Sequence, residues 1–558
     1  MGGGPDEMKM KAALPIHRWV LGLGFLLAPP LWAAPVSSQG TEFWLAFPTQ
    51  YLVPSYAQAL DLFVLSQTGA SGQVSITGLS YGQTFSVAAN SAVTVVLPET
   101  AMLSTADGLQ SLAIHVTADN DITVFGLEYE QFATDGYLAL PVGAIGTQYW
   151  VASYTADVNQ SATTTISTSE FALAASQDST SVTITPPVTV GSHPAGVPYT
   201  VNLNRGQAYQ LQDDLLGSDL TGTQVASNVP IALFSANACA DVPISFVTCN
   251  LVLEQEIPLA TWGTSFVTVP LASRSSDSFR YLASANGTVV SVNGTAVTTL
   301  NQGQFFEQIL STASYVTSTA PILVMQYSNS HSYDNVTMGD PCQITVSPIT
   351  DYGTAYQLAA PATGFSMNYV NLSAPSTEAG SILLDGSAVP AGSFAAVGAS
   401  GYSAAQVTIG PGYHKLSGPA PFGVESYGFD VRDAYGYPGG LVFTSLPTLT
   451  PTPSPTITPT PIPTLTPTPV CEVKIWPVPF NPKLAVGGTL KMDCLQPGDQ
   501  VSLYTLAGEK VFQTNASSGQ FNWDGTNMQG TFVTPGIYFY AVIRNGNVVK
   551  RDKFILVY

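Results

Sequence analysis

Few side chains in this 558-residue sequence stand at spacings that could perform chemistry. The most polar cluster is His331-Ser-Tyr-Asp334 together with Asp340, and a histidine beside two carboxylates could serve a hydrolytic or metal-dependent reaction. The sequence has no Gly-x-Ser-x-Gly elbow, no His-Glu-x-x-His zinc motif and no phosphate-binding loop ending in Gly-Lys-Ser/Thr. We therefore interpret the cluster as an ordinary polar loop and predict that the protein is not an enzyme.

The residues that could hold a metal ion are few and scattered. None of the histidines after residue 34 lies in a Cys-x-x-Cys context, which argues against zinc. Asp119-Asn-Asp121 and Gln212-Asp-Asp214 offer the oxygen ligands that Ca²⁺ prefers, but neither belongs to a complete calcium loop. We predict no cofactor, and calcium is the one alternative left open.

Five cysteines are present, and they can form disulfides if the chain is exported. Cys239 and Cys249 would close a short loop, which the chain-entropy model values at about 3 kcal/mol. Cys471 and Cys494 could tie the start of the C-terminal region to one of its strands. Cys342 would then be unpaired, and we expect it to be a small buried apolar residue.

The composition indicates a large apolar core in an acidic and weakly charged protein. Lys and Arg number 16 against 36 Asp and Glu, only 9% of residues are charged, and 45% are hydrophobic. The hydrophobic content argues against disorder, and the net charge of −20 argues against nucleic acid as a partner. Residues 35–470 carry five basic and 28 acidic side chains, whereas residues 471–558 carry eight and six. This asymmetry predicts two independent modules.

Two segments lack the pattern of a globular fold. Residues 1–34 run from a basic stretch through the apolar Trp19–Leu27 to small residues, which is typical of a signal peptide, with an uncleaved membrane anchor as the alternative. Residues 446–470 contain nine prolines and no charge, so we predict a stiff Thr/Pro-rich linker. We expect the mature chain to be secreted or displayed at the cell surface, without a transmembrane segment.

The region 35–445 repeats itself about every hundred residues. Each unit begins with a Gly-Thr motif that is followed by aromatic and apolar residues, and it ends with a second, apolar motif. Alternating β-branched runs broken by Gly, Asn and Asp predict short strands, and no long amphipathic helix is indicated. We predict an all-β fold of four units, either β-sandwich-like or closed into a pseudo-symmetric ring or propeller-like array. The units are residues 40–145, 146–262, 263–352 and 353–445.

The repeat phrases also form a family pattern when they are read in order. They are Gly40-Thr-Glu-Phe-Trp-Leu-Ala-Phe-Pro48, Thr134-Asp-Gly-Tyr-Leu-Ala-Leu-Pro141, the pair Cys239 and Cys249, Glu254-Gln-Glu-Ile-Pro258, Phe422-Gly-Val-Glu-Ser-Tyr-Gly-Phe429 and Tyr435-Gly-Tyr-Pro-Gly-Gly440. Residues 36–445 resemble the N-terminal domain of the IgGFc-binding protein family. The resemblance implies an extracellular binding domain. The family name does not imply that its bacterial members bind antibody.

The C-terminal region, residues 471–558, resembles a different kind of domain. Its phrases are Pro477-Val-Pro-Phe-Asn-Pro482, Leu506-Ala-Gly-Glu-Lys-Val511, Trp523-Asp-Gly525 and Pro535-Gly-Ile-Tyr-Phe-Tyr540. They are similar to the Ig-like domain of flagellar hook-capping proteins and to type IX secretion sorting domains. The resemblance implies an Ig-like β-sandwich that attaches the chain to the cell envelope or sorts it, with a plain stabilising module as the alternative.

Aromatic residues near the end of the repeat region are candidate ligand contacts. They are Tyr427, Phe429, Tyr435 and Tyr437, although alternation would place half of them in a core. We predict an exported, adhesin-like bacterial surface or secreted protein whose head recognises an extracellular protein or glycan. The alternatives are a structural component of an extracellular layer and a glycan-acting hydrolase, which would need two carboxylates in a cleft.

Overall fold

The computed structural model describes residues 1–2, 36–51, 53, 55–156, 167–444, 473–485, 488–506, 508–544 and 547–558. The chain divides near residue 450 into two compact units. Residues 3–34 of the predicted signal peptide and the whole predicted linker lie outside the described residues, so both segments stay predictions. No helix among the described residues has the length and apolarity needed to cross a membrane.

The first unit begins with two repeats of antiparallel strands. The first repeat contains β1 (Val36–Ser37), β2 (Gly40–Leu45), β3 (Gln58–Ser66), β4 (Ala70–Ile76), β5 (Tyr81–Val87), β6 (Ser91–Leu97), β7 (Asp107–Gln110), β8 (Ile114–Glu130) and β9 (Asp135–Leu138). The second contains β10 (Gly146–Trp150), β11 (Ser169–Ala175), β12 (Thr180–Thr185), β13 (Tyr199–Leu203), β14 (Ala208–Asp213), β15 (Gln224–Ala240) and β16 (Asn250–Gln255).

Two further repeats follow with the same strand order. The third contains β17 (Gly263–Thr268), β18 (Asp277–Ala283), β19 (Thr288–Val292), β20 (Thr295–Leu300), β21 (Phe305–Leu310), β22 (Ser314–Ser328), the short helix α1 (His331–Asp334) and β23 (Gln343–Thr345). The fourth contains β24 (Gly353–Ala360), β25 (Met367–Pro375), β26 (Leu383–Leu384), β27 (Ser387–Ala388), β28 (Ala395–Ala396), β29 (Tyr402–Ile409), β30 (Gly412–Asp430), β31 (Asp433–Pro438) and β32 (Val442–Phe443). Three-residue 3₁₀ turns lie at Thr77–Leu79, Glu99–Ala101, Leu259–Thr261, Ile349–Asp351 and Ala391–Ser393.

Each repeat is organised around one long strand: β8, β15, β22 or β30. In the first repeat, the first half of β8 pairs with β2 and β4, and its second half pairs with β3 and β9. The other three long strands pair in the same way. The second halves are almost continuously buried, as expected for strand segments covered on both faces. One strand therefore belongs to two layers of its repeat.

The Gly-Thr phrases open each repeat for a steric reason. A methyl group at Gly40 would come within 2.5 Å of Pro141 Cβ, and one at Gly263 would come within 2.4 Å of Pro348 Cβ. In each case the proline follows the short strand that ends the same repeat. Gly146 is under the same constraint in the second repeat. Only glycine allows the start and the end of a repeat to lie this close.

The four short strands that follow the long strands form a closed ring. Strand β9 lies against β16 and β31, and β23 lies against β16 and β31, so each has two neighbours from other repeats. The buried Asp135 sits where they meet: its Oδ1 accepts hydrogen bonds from the N–H groups of Gly136 and Gly436, and its Oδ2 from those of Leu253 and Gln343, at 2.8–3.1 Å. One carboxylate thus joins all four repeats.

The ends of the repeat region also join. Strands β1 and β32 pair antiparallel, with Val36 opposite Phe443. The Ser38 N–H donates to the Leu441 carbonyl at 2.9 Å, and the Leu441 N–H donates to Ser38 Oγ at 3.1 Å. The last repeat is thereby closed onto the first. The all-β prediction with tandem sandwich-like repeats is confirmed, and the four repeats form a ring, whereas the exact unit boundaries stay a prediction.

The second unit is a two-layered β-sandwich. One sheet has the order β33 (Lys474–Trp476), β34 (Leu490–Asp493), β37 (Gln520–Trp523), and the other has the order β36 (Lys510–Asn515), β35 (Gln500–Thr505), β38 (Gly536–Arg544), β39 (Asn547–Leu556). Trp523 is buried between them and packs against Phe480, Tyr538 and Phe554. Its indole N–H donates to the Thr526 carbonyl, so the polar atom of this core residue is paired.

Buried glutamates make the stability of the first unit depend on pH. Burial raises the pKa of Glu170 and of Glu425 to about 8 and that of Glu256 to about 7. Glutamate in an unfolded chain titrates near about 4.3. Near neutral pH the folded protein therefore holds protons that the unfolded chain has released, and its stability falls as the pH rises through this range.

The first prediction concerns Asp135. Asp135→Asn replaces one accepting oxygen with an amide that can only donate, so two of the four N–H groups lose their partner. We expect the free energy of unfolding of the first unit, measured by denaturant titration, to fall by about 3 kcal/mol or more. Asp121→Asn makes the same exchange at an exposed position and should change it by less than about 0.5 kcal/mol. Equal effects of the two variants would contradict the role given to Asp135.

The second prediction concerns pH. The melting temperature of the first unit should fall as the pH rises from about 5 to about 8, because the raised carboxyl groups must then ionise in place. Glu256→Gln cannot ionise and should flatten this dependence, as followed by calorimetry of the full chain at several pH values. Glu99→Gln, at an exposed position, is the matched control. A flat profile in the unmodified protein would refute the prediction.

Candidate binding face

The loops that connect the long strands to the ring converge on one side of the first unit. They are residues 131–134, 241–249, 329–342 and 431–432, and together we name them the loop face. They border one open depression of about 610 Å³. Its lining comes from all four repeats: Tyr56, Phe132, Thr248, Cys249, His331, Val336, Thr337, Asp340, Val431 and Arg432. The convergence follows from the ring, because each loop leads directly into a strand that meets the other three.

The second and third loops are bound to each other. Cys239 and Cys249 form a disulfide that brackets the second loop. The Ser330 N–H donates to the Val242 carbonyl at 2.6 Å, and Ser332 Oγ donates to the Val247 carbonyl at 2.9 Å. The disulfide and these bonds hold the outermost part of the second loop against helix α1.

A buried ion pair holds the third loop in place. Arg274 Nε lies 2.7 Å from Asp334 Oδ2, and neither side chain has exposed surface. The Arg274 guanidinium also donates to the Met338 carbonyl at 2.8 Å, and its Cζ stands 5.4 Å from the centre of the Phe429 ring. Because a buried charge without a partner is costly, the Asp334 carboxylate fixes the arginine and the loop around it.

Two members of the polar cluster found in the sequence, His331 and Asp340, line the depression. Asp340 Oδ1 accepts hydrogen bonds from the His331 backbone N–H at 3.0 Å and from Thr248 Oγ1 at 3.2 Å, and it lies 3.2 Å from His331 Nδ1. Burial raises the pKa of Asp340, and the hydrogen bonds from His331 oppose the rise. These contacts link α1, which contains four residues of the cluster, to the second loop, and the absence of a catalytic role for the cluster stays a prediction.

Apolar side chains cover the outside of the loop face. Tyr56 and Phe132 meet edge to face at 5.5 Å, and Phe246 and Tyr333 meet in the same way at 4.8 Å. Phe132, Phe246 and Val431 expose 36%, 40% and 48% of their surface. Phe132 has a φ of 76°, a left-handed conformation that is unfavourable for a bulky residue and is concentrated at functional sites. This is an aromatic, weakly charged surface on a braced scaffold.

The sequence of the first unit also matches a known protein family. The sequence profile of the family described as IgGFc binding protein matches residues 135–428, which are more than half of the chain. The chain belongs to the IgGFc binding protein family. The matched segment starts at Asp135, the residue that joins the ring, and includes the second and third loops of the loop face.

One relative of the chain is the human IgGFc-binding protein. It is 28% identical over 361 residues, which are 61% of this chain and 6% of the human protein. The chain therefore spans only a small part of this much longer relative. Binding of the human protein's ligand by this chain is therefore a proposal and not a finding.

Solved structures give only weak likenesses. PorZ, a surface component of the type-IX secretion system of Porphyromonas gingivalis, is 23% identical over 15% of this chain and 11% of that chain, with a TM-score of 0.14. A tetra-tandem repeat of a large adhesion protein is 12% identical over 78% of this chain and 95% of that chain, with a TM-score of 0.12. TM-scores this low support no inference about arrangement or function.

The aromatic residues predicted to contact a ligand are buried in this family member. Tyr427, Phe429, Tyr435 and Tyr437 have no exposed surface. They lie on the second half of β30 and on β31, where both faces of the strand are covered by the ring and the neighbouring repeat. Tyr437, for example, packs at 4.4 Å from Phe125 of the first repeat. The prediction that these residues are candidate ligand contacts, with about half of them outside the core, is wrong, because all four are buried.

The remaining candidate residues have structural surroundings. Cys471 lies outside the described residues, so its pairing with Cys494 stays a prediction. Cys342 is a buried free thiol, and burial raises its pKa well above the usual value. Asp119 of β8 accepts a hydrogen bond from the Ser71 N–H of the neighbouring strand β4, and Asp213 accepts one from the Leu215 N–H two residues further on. Within the described part of the chain, no three His, Cys, Asp or Glu residues are grouped to hold a metal.

Proposed function

We propose that this chain is an exported binding protein whose head recognises an extracellular protein through the loop face. The observation that carries the proposal is the depression lined by loops from all four repeats and bordered by exposed aromatic and aliphatic side chains. Membership of a family named for protein binding supports the same class of function. The bacterial source and the export of the chain are parts of the proposal that rest on its sequence.

The surface chemistry favours a protein ligand. Protein interfaces are enriched in aromatic residues and arginine and depleted of other charged groups at their centre. The loop face offers Phe132, Val431 and Arg432 around the depression, and Tyr56 lines it beside them. Its one lining carboxylate, Asp340, is engaged by His331 and Thr248, so it is a bracing group. Loops held on a rigid ring bind with little loss of conformational entropy.

The second unit has a separate part in the proposal. Its resemblance to attachment and sorting domains supports a role in retaining the chain at the cell envelope. The Thr/Pro-rich linker predicted at residues 446–470 would then present the head away from the surface. Immunoglobulin Fc is the first head ligand to test, because the human relative carries that name.

The third prediction tests the loop face. The full chain is titrated against immobilised Fc and a panel of extracellular proteins, and the Phe132→Ser, Val431→Asp double variant is compared with it. We expect the affinity of any protein that binds to fall about tenfold or more, since truncating a central hot spot costs roughly 2 kcal/mol. Thermal melting of each variant shows whether the fold is kept.

The matched control is Leu215→Ser with Val197→Asp, which changes two exposed apolar residues of the second repeat outside the loop face. It should leave binding unchanged. Equal loss in both double variants, or no protein ligand in the whole panel, would contradict the proposed function.

A further inference from the structure

In the sandwich of the second unit, one side of the four-stranded sheet faces away from that unit's own core. In the sheet β36-β35-β38-β39, alternation turns Leu503, Tyr538 and Phe554 into the core. The opposite side, which we name the outer face, presents Lys510, Tyr504, Phe539, Lys553, Ile537 and Ile555. Side chains of this set are exposed or half-buried.

Register places four of these residues in one row. Tyr504 lies opposite Lys510 on one side and opposite Phe539 on the other, and Phe539 lies opposite Lys553. The row therefore reads lysine, tyrosine, phenylalanine, lysine across four adjacent strands. At the usual strand spacing of about 4.8 Å it spans about 14 Å. Two aromatic side chains therefore stand between two ammonium groups on one side of the sheet.

The outer face is basic in a protein that is strongly acidic. It carries Lys510, Lys553 and Arg551, and among the described strand residues of this face there is no carboxylate. None of these three cations forms an ion pair with another described residue, although Lys510 donates a hydrogen bond to Gln513. Residues 471–558 carry eight basic and six acidic side chains, so strand residues with only positive charge make this face more basic than the unit as a whole.

The same face exposes more apolar surface than a solvated sheet side needs. Phe539, Ile537 and Ile555 expose 41%, 42% and 43% of their surface, and Ile537 lies directly opposite Ile555. Solvated sides of sandwich sheets normally carry polar residues. A shallow depression of about 430 Å³, lined by Lys510, Gln513, Thr514, Asn515 and Met528, extends the face at the edge of β36. The row of four residues and this depression together form an extended surface, which we name the track.

We propose that the outer face binds an acidic polysaccharide. The apolar C–H side of a sugar ring packs on an aromatic ring, and Tyr504 and Phe539 offer two such positions side by side. Carboxylate groups along the polymer would pair with Lys510 and Lys553 at the two ends of the row and with Arg551 beside it. A linear polyanion suits an extended track that carries cations along its length. The inference rests on the proposed attachment role and gives it a ligand.

The experiment measures binding of the full chain to immobilised polygalacturonic acid, to neutral dextran and to vesicles containing phosphatidylserine. We expect saturable binding to polygalacturonic acid that weakens with salt, and little binding to dextran. Two variants remove the row in different ways: Lys510→Gln with Lys553→Gln, and Tyr504→Ser with Phe539→Ser. Each should weaken binding about tenfold or more if each side chain contributes about 1 kcal/mol.

The matched control is Lys474→Gln with Lys483→Gln, which removes the same charge from exposed positions outside the outer face. It should weaken binding less than about twofold. Equal weakening in the control and the row variants, equal binding to dextran, binding to vesicles alone, or no binding to polygalacturonic acid would each overturn the inference. If the chain still stays on the cell surface while it binds no polygalacturonic acid, the attachment role stands and only its ligand is wrong.

Discussion

The four repeats are held together by acidic side chains that accept hydrogen bonds from strand edges. Each ring strand pairs with its own long strand on one edge, and the N–H groups on its other edge need partners because they are buried. Asp135 takes four of them, one from each ring strand. Glu254 accepts from the Leu138 and Thr345 N–H groups at 3.3 Å, and so joins three repeats. Carboxylates here take the place of a neighbouring strand.

The need for these hydrogen-bond acceptors explains why the protein buries so many of its acidic side chains. Burial raises the pKa of Asp135 and of Glu254 well above the usual values, and the backbone N–H groups oppose the rise. Outside the ring the repeats interlock by shape. The Trp150 ring leaves no room for a methyl group at Gly303 of the next repeat, which would come within 2.5 Å of it. In the fourth repeat, Gln357 stands at the position that Trp150 has in the second repeat. Residues of the fourth and first repeats, Gln357 among them, line a groove of about 690 Å³.

The sequence pattern was sufficient to predict the strands, but it did not predict which of their sides are buried. Alternation predicts that a strand has one covered side, which made Tyr435 and Tyr437 candidates for exposure. In the structure Gly436 lies between them where a methyl group would come within 3.1 Å of Cys342 Sγ, so the second side of the strand is covered as well. A glycine between large aromatic residues was the available signal. The exposed Phe132 could not be found in this way, because a single apolar loop residue has no period.

The place of the loop face follows from topology more than from any motif. Each long strand enters the ring from its own repeat, so the loop after it must open on the same side as the other three. Phe132, Val247 and Val431 are distant in sequence and belong to different repeats, yet the ring brings their loops to one surface. Asp135 and its four donors lie on the ring strands and outside these loops. The ring can therefore keep its geometry while the loops vary, which separates the residues that fold the head from those that decide what it binds.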